Sequence, residues 1–326
     1  MIAYWLNYNT NSFHVFNFST NEKINIKLDS SIIKSINGTI DYQMLNENEV
    51  GFYSWRNKKL FILNIRNYNI NKYDFAACLD KKDSKIVPSS SKQFPFIYNG
   101  DKLSFFCVYS DLFLNNITTI KKYFSLNNTI TINISDTKCT YYTFGHFPAN
   151  YQKGNTYADY FFYNCMNDVG ELIYSFSAND SIFVYSENGE FIKQYEAKSK
   201  YSKEFLPYDL SKRLDLNYKR QYVFSNDWYT NIVYDKYRKL YYRFYKKEVS
   251  YLNDKNKIRK PNEIPWSLIV LDKNFNKINE IDINPAKYSL KHLIPMKEGV
   301  YVGHPYEEDI KNNNLSLTLL KFNNDF

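Results

Sequence analysis

Asp235-Lys236-Tyr237-Arg238 is the sharpest group of chemistry-bearing residues in the chain. An Asp that opens a β-turn accepts hydrogen bonds from the backbone N–H groups that follow it. Arg238 stands where it can pair with that carboxylate. In this role the two residues staple a hairpin, and an exposed pair of that kind contributes only ~0–1 kcal/mol. At the mouth of a channel the same two groups would contact an anionic or sugar ligand. Arg243 follows on a strand and shares a face with Tyr241 and Tyr245. It would stack on tyrosine and offer its planar fork to a carboxylate or phosphate, or bridge two sheets with no ligand at all. Tyr242, beside it, joins the binding candidates.

His304 precedes Pro305, Tyr306, Glu307, Glu308 and Asp309. A histidine next to three acids suits metal binding or proton transfer, but consecutive acids point in different directions, which suits a solvent loop. His146, in Phe144-Gly145-His146-Phe147-Pro148, is a similar loop histidine. Trp228, in Asp227-Trp228-Tyr229, suits stacking on a sugar at a sheet edge, or core packing. No nucleophile elbow, phosphate loop, dinucleotide fingerprint or zinc-protease motif is present. No catalytic residue and no metal ligand set is therefore assigned, and no cofactor is indicated.

Composition narrows the classes. With 44% hydrophobic residues the chain can bury a sizeable core. Its 32 Tyr and 25 Phe favour strands. The formal charge of +8 is spread, with Lys and Arg interleaved among Asp and Glu even in the densest basic segment, Arg243 to Lys260. A nucleic-acid binder concentrates its cations on one face, so nucleic acid is not an expected partner. The four cysteines, Cys78, Cys107, Cys139 and Cys165, lack zinc-ligand spacing, and Cys107 reads as a buried free thiol. No run approaches the ~18 apolar residues of a membrane-spanning helix. Met1-Ile2-Ala3-Tyr4-Trp5-Leu6 has neither a basic n-region nor a long apolar core. The protein is then expected to be cytoplasmic, or the chain to begin after an export segment.

The elements that must position these residues are strands. Glu171 to Tyr195 is the organising stretch: Leu172–Phe176 alternates, Ile182–Tyr185 is β-branched and aromatic, and Asn188-Gly189 predicts a tight hairpin turn with both residues at positive φ. The same strand–turn–strand unit recurs along the chain. Ile117–Phe124 reads as a strand of a third unit. Cys139–Phe144 opens a fourth, Ala197–Arg213 reads as a loop, and Asn231–Asp235 with Leu240–Tyr245 begins a fifth. Turn signals fall about every 8–12 residues and helical spacing is scarce. The expectation is an all-β chain, one β-propeller domain over residues 1–326, with six (possibly seven) blades of antiparallel strands. A pair of two-sheet sandwiches is the alternative.

Several segments carry a resemblance. They are Tyr4–Asn7 with Ser12–Phe16, Ser181–Tyr201, Phe205–Asp209, Asn231–Arg243, Trp266–Phe275 and Gly299–Glu308. Together they resemble an uncharacterised Bacteroidetes envelope-lipoprotein family, domain of unknown function 4221, similar to TolB-type propellers. Tyr-Asp-x-Tyr-Arg-x-x-Tyr-Tyr-Arg, at residues 234–243, is its most specific part. The resemblance implies a propeller, export and a lipid anchor on the full-length protein, and it supplies no catalytic residues. The functional expectation is a non-catalytic, monomeric binding propeller of the cell envelope, its partner an envelope protein, peptide or glycan. The alternative is a metal-dependent hydrolase or lactonase-like enzyme with carboxylates around a divalent cation in the channel.

Overall fold

The computed structural model describes residues 2–7, 10–17, 20–30, 33, 40–46, 48–79, 85–91, 94–112, 116–134, 139–153, 157, 162–212, 214–304 and 317–320. The chain divides into two units, residues 1–111 with 127–144, and residues 112–126 with 145–326.

The first unit holds three antiparallel sheets. β1 (Ile2–Asn7), β2 (Ser12–Asn17) and β3 (Glu22–Lys27) form one. β4 (Ile40–Met44), β5 (Glu49–Ser54), β6 (Lys59–Asn64) and β7 (Ile70–Asp74) form the next. In the third, β8 (Ile86–Ser89), β10 (Lys102–Tyr109), β11 (Asn127–Asn133) and β12 (Thr140–His146) lie side by side, and β9 (Ile97–Asn99) also pairs with β10. Side chains alternate faces along a strand, and β6 uses both. Phe61 and Leu63 pack with Phe13, Val15 and Phe52, while Leu60 and Ile62 pack with Tyr53, Leu103 and Phe105. A sheet buried on both faces is what stacked blades require. Cys78, in the short helix α1 (Ala76–Leu79), is disulfide-bonded to Cys139, with Cα atoms 5.6 Å apart.

The second unit repeats the plan. β13 (Phe162–Met166), β14 (Leu172–Phe176), β15 (Ser181–Tyr185) and β16 (Phe191–Glu196) form one sheet. β17 (Trp228–Asp235), β18 (Leu240–Lys246), β19 (Trp266–Leu271) and β20 (Lys277–Ile283) form the second, and β21 (Ser289–Met296), β22 (Gly299–Gly303) and β23 (Leu317–Leu320) the third. β18 again serves two cores. Tyr241 and Tyr245 pack with Ile173, Ile182 and Val184, and Tyr242 and Phe244 pack with Leu293, Val300 and Val302. The architecture is all-β, a β-propeller arrangement in which five blades are discerned, fewer than the six or seven expected. The described residues hold six sheets, two of them with three strands rather than a full blade's four.

Local readings differ in three places. Ile117–Phe124 is not a strand but most of helix α2 (Ile117–Ser125). Asn116 caps it through a bond from the Thr119 N–H, and Ile120, Tyr123 and Phe124 give it a buried face at helical spacing. Residues 140–144 close the third sheet through β12 rather than opening a fourth, which starts at β13. At the Asn188-Gly189 turn only Gly189 has positive φ, 83°. Gly189 N–H bonds to Ser186 O and Tyr185 pairs with Phe191 across a bulge, so the loop is longer than a two-residue hairpin. Two further helices are α3 (Ala149–Gln152) and α4 (Leu216–Ser225), the latter capped by Asp215 and following the loop that begins at Ala197.

Candidate functional site

Asp235 ends β17 and is fully buried. Its Oδ1 accepts from the N–H groups of Tyr237 (3.0 Å) and Arg238 (3.2 Å). Its Oδ2 accepts from Arg238 Nη1 at 2.6 Å and from the Tyr242 hydroxyl at 3.1 Å. Arg238 Nη2 donates to Met296 O at 2.8 Å, so the staple also ties the hairpin to the β21–β22 turn. The structure thus brings Asp235, Arg238 and Tyr242 into one network. It differs from the exposed pair anticipated in that the carboxylate is shut away from water. Burial, and then the Asp235 charge, push the Tyr242 hydroxyl well up.

Arg243 is also fully buried. Its guanidinium has five N–H donors, and all five are engaged. Nε donates to Ser175 Oγ at 2.9 Å. Nη1 donates to Asp180 O (2.7 Å) and Ala197 O (3.0 Å), and Nη2 to Asn179 O (2.6 Å) and Ser181 O (3.2 Å). Every acceptor lies in or beside the β13–β16 sheet, so Arg243 bridges two sheets, with no donor left for a ligand. Burial pushes it down to about 10. His304 shares a 2.7 Å hydrogen bond between Nε2 and Thr318 Oγ1 and lies 6.1 Å, ring to ring, from Tyr288. The neighbours named with it, Pro305 to Asp309, lie outside the described residues.

Trp228 stands apart from these. It lines a shallow cleft of about 10 Å³ with Tyr157, Phe205, Leu206, Tyr222 and Asp227, among others. Trp228 and Lys246 are cross-strand partners, and Lys246 Nζ sits 4.4 Å from the centre of the Trp228 ring. The same ammonium donates to Phe224 O at 2.8 Å and to Asn226 O, holding the last carbonyls of α4. Asp227 is 7% exposed. Its Oδ2 accepts from the Tyr245 hydroxyl and from Lys203 N–H (3.3 Å). Burial holds the Asp227 carboxyl above the usual carboxylate range and pushes Lys246 down to about 7. Sequence reasoning named Trp228 but missed Asp227 and Lys246 as a pair. Counting back from the Lys236–Lys239 turn places Lys246 opposite Trp228 only after allowing for the bulge between Tyr229 and Asn231.

Among the described residues no group of three or more His, Cys, Asp or Glu side chains is placed to hold a metal ion, and no helix is long and apolar enough to cross a membrane. No curated protein matches the chain. Among solved structures, a DUF4221 member from Bacteroides vulgatus is similar over 95% of this chain and 86% of its own, at 17% identity and a TM-score of 0.67, which shows the fold. A putative exported protein from Bacteroides fragilis (9% identity, 96% and 82% covered, TM-score 0.44) and virginiamycin B lyase from Staphylococcus aureus (13%, 92% and 87%, TM-score 0.39) are more distant. Residues 4–282 match the family described as a domain of unknown function (DUF4221), and the chain belongs to that family.

Proposed function

We propose that this protein is a non-catalytic binding propeller of the bacterial cell envelope that takes an envelope peptide or glycan at the Trp228 cleft. In this reading the whole chain is one propeller domain, and the full-length protein is a lipid-anchored monomer. The observation that supports it is the cleft, whose lining joins aromatic and aliphatic side chains to Asn226 and Asp227. The disulfide between Cys78 and Cys139 supports an oxidising compartment outside the cytoplasm. The hydrolase reading has no set of carboxylates among the described residues to carry it.

A thermal-shift screen tests this. Purified protein is heated with glycans, short peptides, and calcium or magnesium with and without chelator. Binding to the native state raises stability by ~2.7 kcal/mol at a hundred times the dissociation constant. The expected result is a metal-independent shift with a glycan or peptide, abolished by Leu206→Arg. Residue 206 is 56% exposed at the cleft, so that change blocks the site without disturbing the core. A shift that needs calcium or magnesium would overturn the binding reading in favour of catalysis.

A further inference from the structure

Two segments close one end of the β17–β20 sheet and carry a surface outside the cleft. α4 leads into β17, and residues 247–265 join β18 to β19. Trp228, Lys246 and Trp266 are register partners across the three strands, so both segments leave the same end of the sheet. Residues 251–259 fold back as a short hairpin, with Leu252 bridged to Ile258 and the Arg259 N–H bonded to Tyr251 O. The hairpin is tied to the helix: Val249 N–H donates to Phe224 O at 3.0 Å, and the Phe224 and Tyr251 rings lie 5.6 Å apart. Leu214 is 86% exposed and Leu216 66%, and Leu252 and Ile258 are exposed as well. With Leu206 at the cleft, Leu214, Leu216 and Leu252 make up the exposed leucines among the described residues. Single exposed apolar side chains are ordinary, but their concentration at one end of one sheet marks a surface that something covers.

Charge identifies the cover. Lys219, Arg220, Lys255 and Lys257 are exposed and form no ion pair with another described residue. The acids of the same segments are mostly spent. Asp209 pairs with Lys212, Glu248 with Lys203 and Asp254 with Arg259. Asp215 caps α4, and Glu263 accepts from the Lys260 N–H. A surplus of free cations beside exposed aliphatic side chains is complementary to an anionic headgroup layer over hydrocarbon. A second copy of the chain would set these cations against each other across a two-fold interface. Leu214 and Leu216 project from the surface and do not line the cleft, and insertion into a fluid layer needs no matching pocket. We propose that this end of the β17–β20 sheet docks on an anionic phospholipid surface. Leu214, Leu216, Leu252 and Ile258 enter the acyl boundary, and Lys219, Arg220, Lys255 and Lys257 meet the phosphates. None of these residues lines the cleft, so docking is independent of what the cleft holds.

Vesicle flotation tests this with the full chain, free of any attached lipid, at about 0.15 M salt. One set of vesicles is phosphatidylcholine alone and the other carries phosphatidylglycerol as well. The protein should float with the anionic vesicles and not with the neutral ones. Lys255→Ala combined with Lys257→Ala should weaken binding at least about tenfold, at about fivefold for each cation removed. Leu214→Gln combined with Leu216→Gln should weaken it about tenfold or more, through the apolar area that no longer enters the bilayer. All four side chains are exposed, so melting temperatures should match wild type, and the lysine pair decides if the leucine pair does not fold. No flotation with anionic vesicles overturns the assignment, as does equal flotation with neutral ones. Wild-type binding in a folded double variant overturns it too, since docking would then lie on another face. Capture of a short DNA duplex in place of vesicles would replace the lipid by a nucleic acid. A dimer in sedimentation that the leucine pair dissolves, with no flotation, would replace it by a second copy.

Discussion

The Arg243 guanidinium lies 3.4 Å from the centre of the Tyr229 ring, and the Tyr229 hydroxyl donates to Asp180 Oδ1 at 2.7 Å. The same hydroxyl accepts from Ser199 N–H at 2.9 Å. A cation, a ring and a carboxylate thus run in series from β18 into the turn before β15. The guanidinium itself touches only neutral acceptors, and Asp180 acts through Tyr229. Such an arrangement fixes how two sheets pack, and its loss exposes several backbone carbonyls at once.

Arg243→Ala should therefore lower stability by at least about 3 kcal/mol, because Ser175 and four carbonyls each lose a donor together and a large buried side chain is removed. Arg243→Lys should fall between, since an ammonium has three donors for five acceptors. The urea midpoint measures both. A midpoint unchanged in Arg243→Ala would show that the bridge is dispensable.

The hairpin staple makes a second case. Both Asp235 oxygens are occupied, and the carboxylate has no contact with water. Asp235→Ala should cost about 3 kcal/mol, as expected when one partner of a buried pair is removed. Arg238→Ala should cost less, because its own side chain is 20% exposed. A double-mutant cycle should return a coupling of about 1–3 kcal/mol. A value near zero would put the pair back among ordinary surface contacts.

The disulfide predicts its own signature. Cys78 and Cys139 are 61 residues apart in sequence, and closing a loop of that length stabilises by about 4 kcal/mol in the chain-entropy account. Replacing both by serine should remove a contribution of that order. Denatured, unreduced protein from an oxidising compartment should titrate two thiols, and reduced protein all four cysteines. Four thiols without reductant would exclude the bond, and with it one support for an envelope location.

Much of this was legible in strand language. Leu172–Phe176 and Ser181–Tyr185 have the alternation and turn residues that fix a sheet locally. Ile117–Ser125 was not, because Ile, Thr, Tyr and Phe all favour strands, and its helical identity rests on the Asn116 cap and on tertiary burial of Ile120, Tyr123 and Phe124. The Cys78–Cys139 bond was hidden because no local spacing encodes a pairing across 61 residues. At the site, residue type flagged Asp235, Arg243 and Trp228, but type cannot say which donors are already spent. Arg243 read either as a ligand-binding fork or as a bridge between sheets, and its saturation by backbone carbonyls makes it the bridge. Lys246, which nothing in the sequence singles out, is 2% exposed.

That burial gives Lys246 a readable pH dependence. Its ordinary value is 10.5 and burial pushes it down to about 7. Between those two values the unfolded chain carries a proton that the folded chain has released. Stability must then rise with pH across that window, since it rises wherever the unfolded state binds more protons. The groups facing Lys246 are Asp227 and Glu248, which oppose the shift, the Trp228 ring and the α4 carbonyls. Asp227 is raised from 3.8, so its own contribution is fully present below that value and is lost as pH rises through its folded value. Lys203 is raised above 10.5, outside the window on the alkaline side. The difference between wild-type and Lys246→Met profiles isolates the lysine. Wild-type stability should climb from about pH 7 towards 10.5, and the variant's should stay flatter. At neutral pH and below, the variant should gain from losing a buried charge and lose from leaving Phe224 O and Asn226 O without a donor. Parallel profiles would mean that Lys246 keeps its proton throughout, held by those carbonyls and the indole ring.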